Sequence, residues 1–105
     1  MIKHLMSYDF KGYKWESENI DLKSLDKKLI GRILFDVFVI NEFETAVLKL
    51  KNDDCVWGPV HTSIGQEAIA AASVAALKSS DKFFGTHRSH HQFLSKTLQY
   101  YVPDT

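Results

Sequence analysis

A long run of helical periodicity begins near Ser24 and constrains the fold more than any other feature. Its apolar residues recur at spacings of three and four, which is the period of one helix face. They are Leu29, Ile33, Val37 and Ile40, with Leu34 and Phe38 widening the face. A helix over about residues 25 to 51 would be about 40 Å long, more than a small core covers. We therefore expect it to need neighbours that this chain does not contain.

Other residues indicate where this predicted helix begins and ends and which of its faces is polar. Ser24 is a candidate N-cap, and the polar run at residues 52–54 predicts the stop. Lys28, Arg32 and Asp36 form a polar stripe, which is typical of a solvated face.

Two shorter helices are predicted after Gly58-Pro59 breaks the chain. Ser63 with Gln66, and Ser89 with Gln92, have the spacing of a capping box, which predicts helices over about 64–78 and 90–101. Capping boxes are common, so they carry no functional information by themselves. The first of these helices is rich in alanine and nearly apolar all round, which predicts a central helix buried on most sides.

The remaining segments predict little regular structure. The aromatic residues before Gly85 suit at most one short strand near Phe83. Residues 1–23 mix aromatic and charged residues without a period, which predicts an arm or irregular extension. We therefore expect a mainly α chain of about three helices and one short strand, with the helical part over residues 24–105.

Composition excludes several classes of partner. The 105 residues hold thirteen basic and thirteen acidic side chains, so the net charge gives no case for nucleic acid or an anionic membrane. No run of about eighteen apolar residues predicts a membrane span. The single cysteine, Cys55, cannot form an internal disulfide, and the N-terminus lacks the apolar core of a signal peptide. These features predict a soluble, cytoplasmic protein.

Arg88 stands directly before the third predicted helix. Unpaired N–H groups at a helix N-terminus and a nearby guanidinium suit an anion, of which a phosphate or diphosphate fits best. An arginine in this position is also compatible with simple solvation or with a carboxylate partner.

Four histidines near these helices raise the alternative of a metal site. They are His61, His87, His90 and His91. His87 and His91 are four residues apart, but His87 precedes the predicted helix, so no pair has the i, i+4 spacing within a helix. Arg88 would also place positive charge against the ion. We therefore predict no metal ligand among these residues.

Several motifs resemble the N-terminal part of the alpha subunit of thiamin diphosphate-dependent 2-oxo acid dehydrogenases. The motifs are F-E-T followed by A-V-L-K-L, then W-G-P-V-H-T-S-I-G-Q-E-A, an alanine-rich helix, and D-K-F-F-G-T-H-R-S-H. Together they cover about residues 30 to 98. The resemblance implies that the helices are a fragment of the α/β thiamin diphosphate-binding fold.

The resemblance also implies roles for four residues. His61 falls on the active-site histidine, and His90 matches a histidine near the substrate channel. His87 matches a position that contacts the cofactor, and Arg88 matches the arginine that binds its diphosphate. Two positions depart from the family's pattern: His91 stands where glycine is usual, and Asn41 stands where an arginine is frequent.

The implied activity is decarboxylation of a 2-oxo acid with thiamin diphosphate and Mg²⁺, followed by acyl transfer to a lipoyl group. The implied partners are a beta subunit, or a beta half of one fused chain, and a lipoyl acyltransferase component, within a homo-oligomer. The family's metal-binding motif does not occur before Thr105. We therefore expect a fragment of a larger subunit that is inactive alone. The alternative is a non-catalytic helical interaction module.

Overall fold

The computed structural model describes residues 2–7, 10–16, 18 and 23–102, which form a two-stranded sheet followed by three helices. Strands β1 (Ile2–Ser7) and β2 (Phe10–Trp15) pair antiparallel, with Ile2 opposite Trp15 and Ser7 opposite Phe10. Helices α1 (Lys27–Asn52), α2 (Glu67–Ala75) and α3 (His90–Tyr101) follow and contact one another in every pair. The prediction of a mainly α chain with three helices is confirmed, and each helix end lies within one turn of its predicted place.

The prediction of a strand near Phe83 is wrong. Residues 82–85 form no strand, because a strand needs a hydrogen-bonded neighbour and none pairs with this segment in the described chain. The sheet lies instead within the segment that was expected to be irregular. That expectation also covers residues 1, 8–9, 17 and 19–22, which lie outside the described residues, as do residues 103–105 of the helical part. The boundary at residue 24 stays a prediction.

Helix α1 begins and ends with clear local signals. Asp26 is the N-cap in place of Ser24, and its side chain accepts a hydrogen bond from the Lys28 backbone N–H at 3.2 Å. The helix ends at Asn52, and Asp54 follows with a left-handed φ of 56°, so the stop at residues 52–54 is confirmed.

The inner face of α1 differs from the predicted apolar face. Its buried residues are Asp36, Ile40 and Glu44, one on each successive turn. Leu34 and Phe38, expected to widen the apolar face, are 51% and 67% exposed. The helix is therefore rotated so that two carboxylates face the other helices.

Asp36 can be buried because its carboxylate is paired. Oδ1 accepts a hydrogen bond from Arg32 Nε at 3.1 Å, and Oδ2 accepts one from the Ser95 hydroxyl of α3. Arg32 Nη1 also donates to the Val102 carbonyl. These contacts connect α1 to Ser95 in the middle of α3 and to Val102 just after its end. Asp36, a member of the predicted polar stripe, therefore lies in the interior.

Helix α2 presents small residues to its neighbours. Ala70, Ala71 and Val74 are buried, and the opposite face, with Ile69 and Ala72, is exposed. The expectation that α2 is buried on most sides is therefore wrong for the described chain. None of the described helices is both long and apolar enough to cross a membrane.

Helix α3 closes the C-terminal end of α2. Gln99 Nε2 donates to the carbonyls of Val74, at 3.1 Å, and Leu77, at 2.5 Å. Lys96 Nζ donates to the Lys78 carbonyl just beyond. The Ala76 and Leu77 backbone N–H groups also donate to the last carbonyls of α2, so these side chains add to a local C-cap.

Candidate functional site

Three of the four histidines considered above share one cleft. Its volume is about 410 Å³, and it opens beside the C-terminal half of α1. The residues that line it are Phe43, Val47, Pro59, Val60, His61, His87 and His90. The rings of His61 and His87 meet edge to face, with their centroids 5.7 Å apart. The structure thus brings His61, His87 and His90 together.

A glycine turn brings the chain from the end of α1 back to this cleft. Gly58 has φ of 84°, a left-handed conformation that L side chains rarely adopt. Pro59 follows with its φ restricted by the ring and lines the cleft together with Val60 and His61.

A buried glutamate lies beneath the cleft and was missed at the sequence level. Glu44 has no solvent exposure, and its Oε2 accepts the Ser63 backbone N–H at 3.1 Å. Its Oε1 contacts Nδ1 of His90, although the two atoms are not aligned as a hydrogen bond. In the sequence, Glu44 is the glutamate of the F-E-T motif, one turn after the apolar Ile40, and neither feature indicates the Ser63 or His90 contact.

His90 is held from two sides. Its Nδ1 faces the Glu44 carboxylate, and its Nε2 lies 3.1 Å from the His61 carbonyl oxygen. Both ring nitrogens face oxygen atoms. The ring therefore connects α1 to the loop that carries His61.

Ser63 joins the two sequence motifs of the site. It is buried, and its hydroxyl donates to the Arg88 carbonyl at 2.8 Å. The hydroxyl is therefore not available to cap α2, whose N-cap is Gln66 without a side-chain capping bond. Ser89 likewise makes no side-chain capping bond at α3. Both predicted capping boxes are wrong, although the helices that they predicted exist.

Arg88 lies two residues before α3, as predicted, and is not among the residues that line the cleft. Its Nε is buried and has no hydrogen-bond partner among the described residues. The first N–H groups of α3 also lack a side-chain cap. A guanidinium nitrogen without a protein partner, on a residue that shortly precedes a helix N-terminus, is a feature that suits an anion.

The segment before Arg88 packs tightly against α3. A Cβ on Gly85 would lie 2.2 Å from the Ser89 Cβ and 2.8 Å from the Gln92 Oε1. Only glycine fits at this position. The close approach fixes the loop of His87 and Arg88 relative to the helix N-terminus.

Glu67, the first residue of α2, is buried and faces inward. Its Oε1 accepts from Asn41 Nδ2 at 2.9 Å, and its Oε2 accepts from the Gly65 N–H at 2.8 Å. The hydrogen bond from Asn41, followed by those from the backbone N–H groups of Glu67 and Gly65, lowers the pKa of Glu67 from its ordinary value of 4.5, and burial partly opposes this shift. Asn41 thus fastens α1 to the start of α2.

His91 is buried beside the site and does not line the cleft. Its ring lies 6.2 Å from that of His90, and its Nδ1 has no hydrogen-bond partner among the described residues. Among these residues, no group of three or more His, Cys, Asp or Glu side chains is arranged to hold a metal ion.

Comparison with known proteins finds a distant similarity. The chain is 27% identical over 86 residues to the alpha subunit of the mitochondrial pyruvate dehydrogenase E1 component of Chaetomium thermophilum. The match covers 82% of this chain, which spans only 21% of that protein. No protein-family profile and no solved structure matches the chain. The similarity supports a distant relation to the alpha subunits of pyruvate dehydrogenase.

Proposed function

We propose that this chain contributes the alpha-subunit part of a thiamin diphosphate-dependent 2-oxo acid dehydrogenase. The enzyme would decarboxylate a 2-oxo acid and transfer the acyl group to a lipoyl group. One observation carries the proposal: the Ser63 hydroxyl bond to the Arg88 carbonyl joins the two motifs of the resemblance, and their histidines line one cleft. The distant similarity to a pyruvate dehydrogenase alpha subunit supports it.

The residues fit the two ends of thiamin diphosphate. The buried, unpaired Nε of Arg88 and the uncapped N-terminus of α3 suit the diphosphate. The neighbouring cleft, lined by Phe43, Val47 and His87 among others, suits a heteroaromatic ring. When bound, the cofactor would supply the stabilisation of negative charge that loss of carbon dioxide requires.

The chain's own residues would orient the reactants and hold protons. His90 is engaged at both nitrogens, so it would fix the loop of His61 and the floor of the cleft. His61 is exposed in the cleft and would exchange a proton with a bound substrate. His87, whose ring packs edge to face against that of His61, would contact the cofactor.

The remaining parts of the site would come from other chain segments. We propose that the Mg²⁺ ligands lie outside these 105 residues. A beta subunit or beta half would complete the site, and a lipoyl acyltransferase component would accept the acyl group. The isolated chain would then bind the cofactor weakly and show no decarboxylase activity.

The proposal can be tested by NMR titration of the chain with thiamin diphosphate and Mg²⁺ at millimolar concentration. We expect shifts at the Arg88 Nε–H and at the ring protons of His61 and His87. Thiamin alone should move only the histidine signals, and inorganic pyrophosphate only the Arg88 signal. Arg88→Ala should remove the pyrophosphate response, and Lys82→Ala, a change at an exposed cation of the same loop, should preserve it. Absence of shifts at Arg88 and at both histidines would refute the site.

A further inference from the structure

Glu44 is a completely buried carboxylate that the proposed reaction does not use. Burial of a carboxylate costs free energy that hydrogen bonds and nearby charge must offset, so the position requires a reason. Asp36 is buried on the same face of α1, eight residues and about 12 Å earlier along the helix. The hydrogen-bond partners of Asp36 lie outside the cleft, whereas Glu44 contacts His90, which lines it.

The walls of the cleft belong to separate segments of the chain. Helix α1 carries Phe43 and Val47, and the loop after the Gly58 turn carries residues 59–61. A ligand between these walls contacts both at once, so its fit depends on how far the loop stands from the helix. The contacts that join the loop to the helix therefore determine which ring the cleft accepts.

Glu44 joins the loop to the helix in two ways. Its Oε2 accepts the backbone N–H of Ser63, two residues after His61. Its Oε1 contacts Nδ1 of His90, and Nε2 of the same ring lies 3.1 Å from the His61 carbonyl oxygen. The His90 ring also lies beside Phe43, with the ring centroids 6.4 Å apart. Two backbone groups of the loop are therefore held, directly or through one ring, by a single side chain of α1.

We propose that Glu44 is a positioning residue, which sets the distance between α1 and the loop and thereby places His61 in the cleft. The two oxygens of a carboxylate are fixed relative to each other, so contacts at both of them restrict the loop in position and in rotation. The identity of the ligand, a thiamin ring, rests on the proposed function, whereas the positioning itself is a property of the free chain.

Glu44→Met tests the role, because methionine has a similar length but only a weakly accepting sulfur and would leave both contacts unmade. Two variants control for the effect on stability. Glu44→Gln has an amide oxygen that can accept from Ser63 and a nitrogen that can take the place beside His90. Asp36→Leu removes the other buried carboxylate of the same helix face, away from the cleft. Circular dichroism and urea denaturation show which variants are folded and how much stability each has lost.

The first measurement needs no ligand. The rings of His61 and His87 meet edge to face with their centroids 5.7 Å apart, which is close enough for a nuclear Overhauser effect between their protons. We expect this signal to disappear in Glu44→Met and to persist in Glu44→Gln and Asp36→Leu. A folded Glu44→Met chain that retains the signal would overturn the proposal.

The second measurement is the affinity for thiamin, followed through the ring protons of His61 and His87. Glu44→Met should bind thiamin about tenfold more weakly than the unsubstituted chain, and the two control variants should stay within about twofold of it. An equal loss in Asp36→Leu would assign the effect to stability and refute the positioning role. An unsubstituted chain that does not respond to thiamin would count against the proposed function, and the signal between His61 and His87 would still decide the role of Glu44.

His90→Leu takes the place of Glu44→Met if the latter does not fold. The His90 side chain is 31% exposed, so its replacement costs less stability than a change at the buried glutamate. The variant removes one of the two links to the loop and should weaken thiamin binding about three- to tenfold. If His90→Leu keeps both the signal between His61 and His87 and the thiamin affinity of the unsubstituted chain, the positioning role is wrong.

Discussion

Glu44 combines complete burial with two specific contacts, and its removal should therefore be costly. The Ser63 N–H would lose its acceptor, and the His90 ring would lose the carboxylate beside it. A buried donor without an acceptor, together with the lost packing of the glutamate side chain, costs about 2 to 4 kcal/mol.

We expect Glu44→Ala to lower the free energy of unfolding by that amount in urea denaturation. Glu44→Gln should lose less, because an amide oxygen can still accept from Ser63. Thr45→Ala, at the adjacent exposed position of α1, should change stability by only a few tenths of a kcal/mol. Equal stability of the alanine variants at positions 44 and 45 would show that the Glu44 contacts contribute nothing.

Glu67 should make stability depend on pH in the acid range. Its pKa is lowered in the folded chain, chiefly by the Asn41 hydrogen bond, and returns to about 4.5 on unfolding. The ionised carboxylate therefore stabilises the fold fully above pH 4.5, and this contribution is lost as the pH falls through the lowered folded value.

The measurement is the free energy of unfolding between pH 7 and pH 3. Below about pH 4.5 the slope should be smaller in Glu67→Gln than in the unsubstituted chain. Asn41→Ala removes the largest cause of the shift and should reduce the slope in part. An unchanged slope in Glu67→Gln would assign the acid sensitivity to other carboxylates.

At the scale of elements, the junction between the Arg88 loop and α3 depends on Gly85. A methyl group there would lie 2.2 Å from the Ser89 Cβ, so the loop or the helix N-terminus must move. We expect Gly85→Ala to destabilise the chain by about 1 to 3 kcal/mol in thermal or urea unfolding.

Gly31→Ala is the matched comparison, because the new Cβ there meets nothing within 4 Å. The Gly31→Ala substitution should raise the free energy of unfolding by about 0.5 to 1 kcal/mol. The opposite signs of the two glycine substitutions are the expected result. A neutral Gly85→Ala would mean that the loop yields without cost and does not fix Arg88.

The positions of the helices were predictable because their signals are local. Apolar periodicity, the break at Gly58-Pro59 and the polar run at residues 52–54 act within a few residues of the helix ends. The buried face of α1 was not predictable in this way. Asp36 is interior because Ser95, 59 residues away, donates to it, and no periodicity reports such a partner.

The same distinction applies to the candidate site. His61, His87 and His90 were identified through motifs, and the cleft brings them together. Glu44 and Asn41 were missed as partners of the site, because their contacts with Ser63 and Glu67 link residues 19 and 26 positions apart. Ser63 and Ser89 have the spacing of a capping box, but the Ser63 hydroxyl bonds to a carbonyl of another loop.

At the scale of the whole molecule, the proposed function separates two kinds of mutant. In the assembled enzyme, Arg88→Ala should weaken thiamin diphosphate binding about ten- to a hundredfold, because it removes a charge-assisted contact worth about 1.5 to 3 kcal/mol. His61→Ala should lower turnover at saturating cofactor and change cofactor affinity much less.

Cofactor affinity and turnover should both be measured on Arg88→Ala and on His61→Ala, because the two measurements distinguish cofactor binding from participation in the reaction. Lys82→Ala is the control for a general loss of positive charge near the loop. Unchanged cofactor affinity in Arg88→Ala would remove the diphosphate site. A His61→Ala enzyme with normal turnover would remove that histidine from the reaction.

The two carboxylates on the inner face of α1 have a consequence for the orientation of the helix. An apolar side chain tolerates a small rotation of its helix, but Asp36 needs the Ser95 hydroxyl and Glu44 needs the Ser63 N–H at hydrogen-bond distance. Turning α1 by one residue, or sliding it by one turn, would separate Asp36 from the Ser95 hydroxyl and Glu44 from the Ser63 N–H. In this fold, α1 therefore has one rotation about its own axis and one position along that axis. Because all side chains of a helix turn together, the buried contacts of Asp36 and Glu44 also determine the direction in which Phe35 and Phe38 point.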